Sequence, residues 1–209
     1  MGQFIAKAYY SHRNKRERRL LMLGLDGAGK TTVLDLIKLK EQVQIIPTYI
    51  SNIKSVQYKN LKFIIWDIPD QKKNRQLCDY YSYFNHGLIY VLDSTDSNRM
   101  NDVKQALKII IERMIGIPVL ILANKQDIAV MSVSEIQEKL QMHTIKGIGE
   151  WHIQRCCSLN GEGIYEGFSW LSKVLNKQQK QNGEITNDGL DSLLDILNNQ
   201  QKLQKCLAH

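Results

Sequence analysis

At 209 residues, 43% hydrophobic and 23% charged, the chain has the size and composition of one globular unit with room for an appendage, and collagenous or wholly disordered classes are excluded. Five of its seven net positive charges lie in residues 1–19, where Lys7, Arg13, Lys15, Arg16, Arg18 and Arg19 stand against a single acid, Glu17. That distribution suggests a charged arm and argues against a nucleic-acid groove, which spreads its cations over a folded face.

No run of about 18 apolar residues offers a membrane span, and the start lacks the apolar core of a secretory signal. Cys78, Cys156, Cys157 and Cys206 show no C-x-x-C spacing, so reduced thiols in a cytosolic setting are expected.

After the arm, short apolar runs alternate with longer helical patterns, as in a parallel sheet wrapped by helices. Residues 20–23 read as a first buried strand, followed by helical spacing over 30–39. Residues 52–58 and 61–66 flank the two-residue Lys59-Asn60 step and predict an antiparallel hairpin at one edge of the sheet. Strands are expected at 88–92, 118–123 and 151–156, with helices over 100–114, 134–140 and 163–175. Ser132 and Glu135 form a capping box before the second of these helices. From Asn176 the Lys-Gln-Gln-Lys-Gln-Asn-Gly stretch reads as a polar linker. Beyond it Leu190, Leu193, Leu194, Leu197, Leu203 and Leu207 follow a helical period, with Asp188 and Asp191 near its start and Lys202 and Lys205 near its end, which suits the helix dipole.

Between the first strand and first helix lies Gly24-Leu25-Asp26-Gly27-Ala28-Gly29-Lys30-Thr31, the pattern of a phosphate-binding loop in the context that pattern requires. Backbone N–H groups can wrap phosphate oxygens only where the chain comes close, hence the glycines, and the following helix adds its dipole. Lys30 would bridge the outer phosphates, and Thr31 would offer a hydroxyl to Mg²⁺.

Asn124-Lys125-Gln126-Asp127 follows the 118–123 strand, at the carboxyl end of the sheet beside that loop. Asp127 can accept from guanine N1–H and the exocyclic amine. Adenine offers no such donor pair, so the combination selects GTP over ATP and argues against a small-molecule kinase. Trp66-Asp67-Ile68-Pro69-Asp70-Gln71 ends another strand. Asp67 is suited to hold Mg²⁺ through water and Gln71 to orient the attacking water. Thr48, after Pro47, is a candidate to complete the metal shell, although a Thr after a Pro is more often a turn residue.

With these pieces and with Thr32, Ile46-Pro47-Thr48, the Tyr58-Lys59-Asn60 turn, Ala123 before the base-reading box, and Gly161-Glu-Gly-Ile-Tyr-Glu-Gly167 before Trp170-Leu171, the chain resembles the Arf branch of the small GTPases over roughly residues 1–177. The resemblance implies a P-loop small-GTPase α/β fold, a mostly parallel sheet flanked by helices with one antiparallel edge hairpin. It implies an arm at 1–17, a GTPase domain at 18–176, and a linker with an amphipathic helix at 177–209. It also implies binding of GTP and GDP with Mg²⁺ held by Thr31, Thr48 and, via water, Asp67.

By the same resemblance Cys156-Cys157-Ser158 looks like the loop whose backbone meets the guanine carbonyl, with Cys157 supplying the N–H; two adjacent cysteines can equally be buried strand-end residues. Gly2 after Met1 fits N-myristoylation, and the Arf pattern is similar in tolerating Ala6. Phe4, Ile5, Ala8 and Tyr9 can share a helix face, and that face with the basic run would add the second signal that a single acyl chain needs. Peripheral attachment to an endomembrane such as the Golgi, a role in vesicle trafficking, and an exchange factor, an activating protein and effectors as partners are the corresponding expectations.

The match departs from the family at the switch. Pro69 and Asp70 stand where the family has two glycines between Asp67 and Gln71, and Ile50 stands where it has a glycine. Proline fixes its own φ and restricts Ile68. A carboxylate about 4 Å from the γ-phosphate costs up to about 4 kcal/mol at an effective dielectric near 20, roughly a thousandfold in affinity. The alternative reading is therefore a guanine-nucleotide-binding scaffold with little or no hydrolysis.

Overall fold

A computed structural model of the chain describes residues 18–40, 44–46, 53–58, 61–66 and 85–181, with side chains over 18–37 and 85–178. Among these, seven strands form one sheet: β1 (Arg18–Leu23), β2 (Gln44–Ile46), β3 (Ile53–Tyr58), β4 (Leu61–Trp66), β5 (Gly87–Asp93), β6 (Val119–Asn124) and β7 (Trp151–Arg155). The spatial order is β2-β3-β4-β1-β5-β6-β7. Strands β4, β1, β5, β6 and β7 run parallel, and β3 pairs antiparallel with both β2 and β4. The helices are α1 (Lys30–Lys40), α2 (Met100–Arg113), α3 (Val133–Leu140) and α4 (Ile164–Gln181). Glu17–Lys177 make one compact unit.

The period-2 geometry of a strand sends neighbouring side chains to opposite faces, and here both faces are apolar. Leu21, Leu23, Leu88, Tyr90, Leu92, Val119 and Ile121 pack with Val103, Leu107 and Ile111 of α2 and with Ile136 and Leu140 of α3. Leu20, Met22, Ile89, Val91, Leu120 and Leu122 pack with Val33, Leu34 and Ile37 of α1 and with Phe168, Leu171 and Leu175 of α4. This double burial is why the parallel strands read as continuous apolar runs, each buried Leu or Ile contributing about 1.5–3 kcal/mol of transfer free energy.

The hairpin pairs Tyr58 with Leu61 as its spacing requires, but it is not itself the edge. The three-residue β2 lies outside it, too short to announce itself by alternation. The Ser132 capping box forms: its hydroxyl accepts from Glu135 N–H, and the Glu135 carboxylate accepts from Ser132 N–H. Helix α4 runs on through Gln181, past the expected end at 175. Lys and Gln are good helix formers, so a polar composition alone does not stop a helix. Among the described residues no helix is long and apolar enough to cross a membrane.

Candidate functional site

Every loop that carries a described candidate residue leaves the carboxyl end of a parallel strand: 24–29 after β1, 93–99 after β5, 124–132 after β6 and 156–163 after β7. Open α/β sheets bind ligands in that crevice. At Gly24 and Gly29 the 24–29 loop approaches its neighbours so closely that a side chain cannot fit. A Cβ on Gly24, whose φ is +155°, would lie 2.1 Å from the Val91 carbonyl oxygen, and one on Gly29, at φ +96°, would lie 2.3 Å from Asn124 Nδ2.

Lys30, only 6% exposed, folds its ammonium back over the loop and donates to the carbonyls of Gly24 at 2.9 Å and Leu25 at 3.0 Å. Ala28 is buried, Leu25 and Thr32 are half-buried, and Asp26, Gly27 and Thr31 are exposed. The N–H groups of Asp26, Gly27 and Gly29 have no acceptor among the described residues. Backbone donors held this way beside a helix N-terminus fit an anion.

Asn124 is fully buried and ties three loops together. Its Nδ2 donates to the Ala28 carbonyl at 2.9 Å and to Ser158 Oγ at 3.1 Å, while its Oδ1 accepts from the Ser158 N–H at 2.9 Å. Lys125 adopts φ +63°, an uncommon conformation for a side-chain-bearing residue. Its ammonium reaches Asp93 Oδ2 at 2.6 Å, and the turn after it closes through Ile128 N–H to the Lys125 carbonyl and Gln126 N–H to the Cys156 carbonyl, both 3.1 Å.

Burial pushes the Asp93 carboxyl up, but hydrogen bonds from Lys125 and Thr95 together with the Lys125 charge outweigh it and hold the group below its ordinary value. Asp127 is exposed and carries no hydrogen bond or ion pair among the described residues. Its carboxylate is thus open to donors from a ligand.

The Cys157 N–H, assigned above to the guanine carbonyl, donates here to the Glu162 carbonyl at 3.0 Å across an antiparallel bridge, and Gly161 N–H returns to the Cys157 carbonyl at 2.9 Å. Ser158, which sequence reasoning passed over, sits at the Asn124 junction. Asp93 was also missed, its only signal being an acid at the end of an apolar run. Burial is the larger cause that pushes the Cys156 thiol up to about 12, with Cys157 beside it adding to the effect. Thr48, Asp67, Asp70, Gln71 and Gly2, with Pro69 and Ile50 and the terminal segments, lie outside the described residues.

Against this geometry stand three comparisons. Residues 4–175 match the model of the ADP-ribosylation factor family. The chain is 39% identical over 181 residues to ADP-ribosylation factor K of Dictyostelium discoideum, covering 85% of this chain and 96% of that protein. It is 38% identical, with the same coverage, to ADP-ribosylation factor J of the same organism. Among solved structures it is similar to the Arl6 BBS3 small GTPase of Trypanosoma brucei with bound nucleotide analogue GppNp. That match has a TM-score of 0.63 and 29% identity, over 78% of this chain and 99% of that one.

Proposed function

This chain belongs to the ADP-ribosylation factor (Arf) family of GTP-binding, nucleotide-dependent switches, and on that premise we propose that it is a membrane-associated switch in vesicle trafficking, hydrolysing GTP slowly until a partner accelerates it. The 24–29 loop with Lys30 and Thr32 takes the phosphates, and Asp127 with Asn124 and Lys125 takes the guanine. When bound, Mg²⁺ neutralises phosphate charge. Thr31, Thr48 and, through water, Asp67 are the residues assigned to hold it, and Gln71 is assigned to orient the attacking water. Among the described residues no group of three His, Cys, Asp or Glu side chains is placed to hold a metal. The exposed Thr31 hydroxyl at the start of α1 nonetheless suits a hard cation that takes most of its ligands from phosphate and water.

The arm at 1–17 is the membrane element, with Gly2 the acylated residue and Arg13, Lys15 and Arg16 drawn to anionic lipid. Residues 18–176 are the switch domain. Residues 177–209 are an appendage, and the switch domain works with an exchange factor, an activating protein and effectors.

The observation that supports this reading best is the Asn124 junction, which joins the carbonyl side of a phosphate-type loop to a base-reading loop through hydrogen bonds of 2.9 and 3.1 Å. The deciding experiment is turnover of labelled GTP by the purified protein on anionic vesicles, with and without an Arf-activating catalytic domain. Stimulated hydrolysis, with Gly2→Ala lost from the vesicles after myristoylation, is the expected result. GTP binding without turnover that is restored by Asp70→Gly would instead identify a scaffold locked by its own switch loop.

A further inference from the structure

Four carbonyls of the phosphate-type loop are capped from outside it or from its far end. Lys30 caps those of Gly24 and Leu25, and Asn124 caps that of Ala28. The fourth cap comes from an element that the reading above leaves unused. Arg99, at the start of α2, donates from Nη1 at 3.3 Å and Nη2 at 3.2 Å to the Asp26 carbonyl, 73 positions away in the chain.

The guanidinium does not hang free. Its Nε is paired with Asp96 Oδ2, while Asp96 Oδ1 accepts the Arg99 N–H at 3.1 Å. The Arg99 carbonyl in turn accepts from Val103 N–H at 3.0 Å in the first turn of α2. Backbone and side chain are therefore both braced before the fork reaches the loop.

A trans peptide is planar, with its C=O and the following N–H pointing in opposite directions, and the described chain has no cis peptide. Whatever holds the Asp26 carbonyl toward α2 also aims the Gly27 N–H the other way. Gly27, at φ +77° with nothing within 4 Å of its Cβ position, has no side-chain packing to hold that plane. A cation on the carbonyl also polarises the peptide and makes its N–H a stronger donor.

We infer that Arg99, braced by Asp96, is a positioning residue for nucleotide binding: it clamps the Asp26–Gly27 peptide so that the Gly27 N–H points at the phosphates of a nucleoside diphosphate or triphosphate. The inference rests on assigning phosphate to this loop.

The test follows release of a fluorescent GDP from the full chain at fixed Mg²⁺ and salt. Losing a two-pronged charged donor at a half-exposed site should speed release about tenfold in Arg99→Gln. Arg99→Lys, which keeps the charge and loses the fork, should speed it about threefold, and Asp96→Asn, which frees the guanidinium, should fall between. Competition by GMP supplies the readout that a general loss of stability would not give, because the clamp acts on the phosphates beyond the first. The GDP-to-GMP affinity ratio should drop with the release rate. Parental release in Arg99→Gln, or equal weakening of GDP and GMP, overturns the clamp. Lys30→Asn separates the two ideas: if it binds GDP like the parent, the loop assignment itself fails, whereas loss in Lys30→Asn with no change in Arg99→Gln removes the clamp alone.

Discussion

Asn124→Ala should be among the most damaging single changes in the chain, and its size can be worked from the geometry. The side chain makes three hydrogen bonds of 2.9–3.1 Å at a fully buried position. Truncation leaves the Ala28 carbonyl and the Ser158 N–H without partners, at about 1–3 kcal/mol each, while the Ser158 hydroxyl can rotate toward another acceptor. With the small void added, the loss is about 3–5 kcal/mol, a large share of the roughly 5–15 kcal/mol that holds a typical domain together.

At about 2–4 °C per kcal/mol for a domain of this size, the melting temperature should fall by roughly 6–20 °C. GDP release should quicken in parallel, because the same side chain joins the phosphate-type and base-reading loops. Asn124→Asp sharpens the reasoning. It keeps an acceptor for the Ser158 N–H but turns a carboxylate toward the Ala28 carbonyl, so it should still lose nucleotide. Thermal unfolding at saturating GDP and Mg²⁺, read beside the release rate, measures both effects. An Asn124→Ala protein that melts within about 2 °C of the parent and holds GDP as long would refute the junction as the element joining the loops.

Asp127→Asn should weaken guanine nucleotides by about a hundredfold or more and admit xanthine nucleotides, since an amide N–H opposes guanine's donors but suits a second carbonyl; competition with XDP checks it. Tyr90 is fully buried on β5, and its hydroxyl has no hydrogen-bond partner among the described residues; burial, followed by the Asp102 charge, pushes that hydroxyl well above its usual range. Tyr90→Phe should therefore raise stability by about 1 kcal/mol in a denaturant titration. Asp93 is held below its unfolded value, so its contribution is present above about pH 4 and is lost as pH falls through the lower folded value. Asp93→Asn should lower stability at neutral pH and flatten the acid limb of the stability curve, and an unchanged limb would discard the Lys125 pairing as its source.

What could be read from the residue string is what local chemistry encodes. Strand β6 announces itself because Val119, Leu120, Ile121 and Leu122 are all buried, and a strand covered on both faces needs no alternation. The Ser132–Glu135 box and the Gly24–Thr31 loop are also local, since each is defined by residues a few positions apart whose backbone geometry they themselves determine. Short β2 escaped for the opposite reason, since three residues carry too little pattern, and α4 outran its expected end because Lys and Gln favour a helix as readily as a linker.

Only the tertiary structure decided the site's wiring. Asn124 meets Ala28 across 96 positions, Arg99 meets Asp26 across 73, and Lys125 meets Asp93 across 32. The Cys157 N–H meets the Glu162 carbonyl in a loop whose closure no local pattern announced. Hydrogen-bond donors and acceptors saturate, so which partner claims a given N–H or carbonyl depends on what parallel strand order brings within about 3 Å. That order is set by burying both faces of the sheet at once, a property of the whole fold that no single stretch of the chain contains.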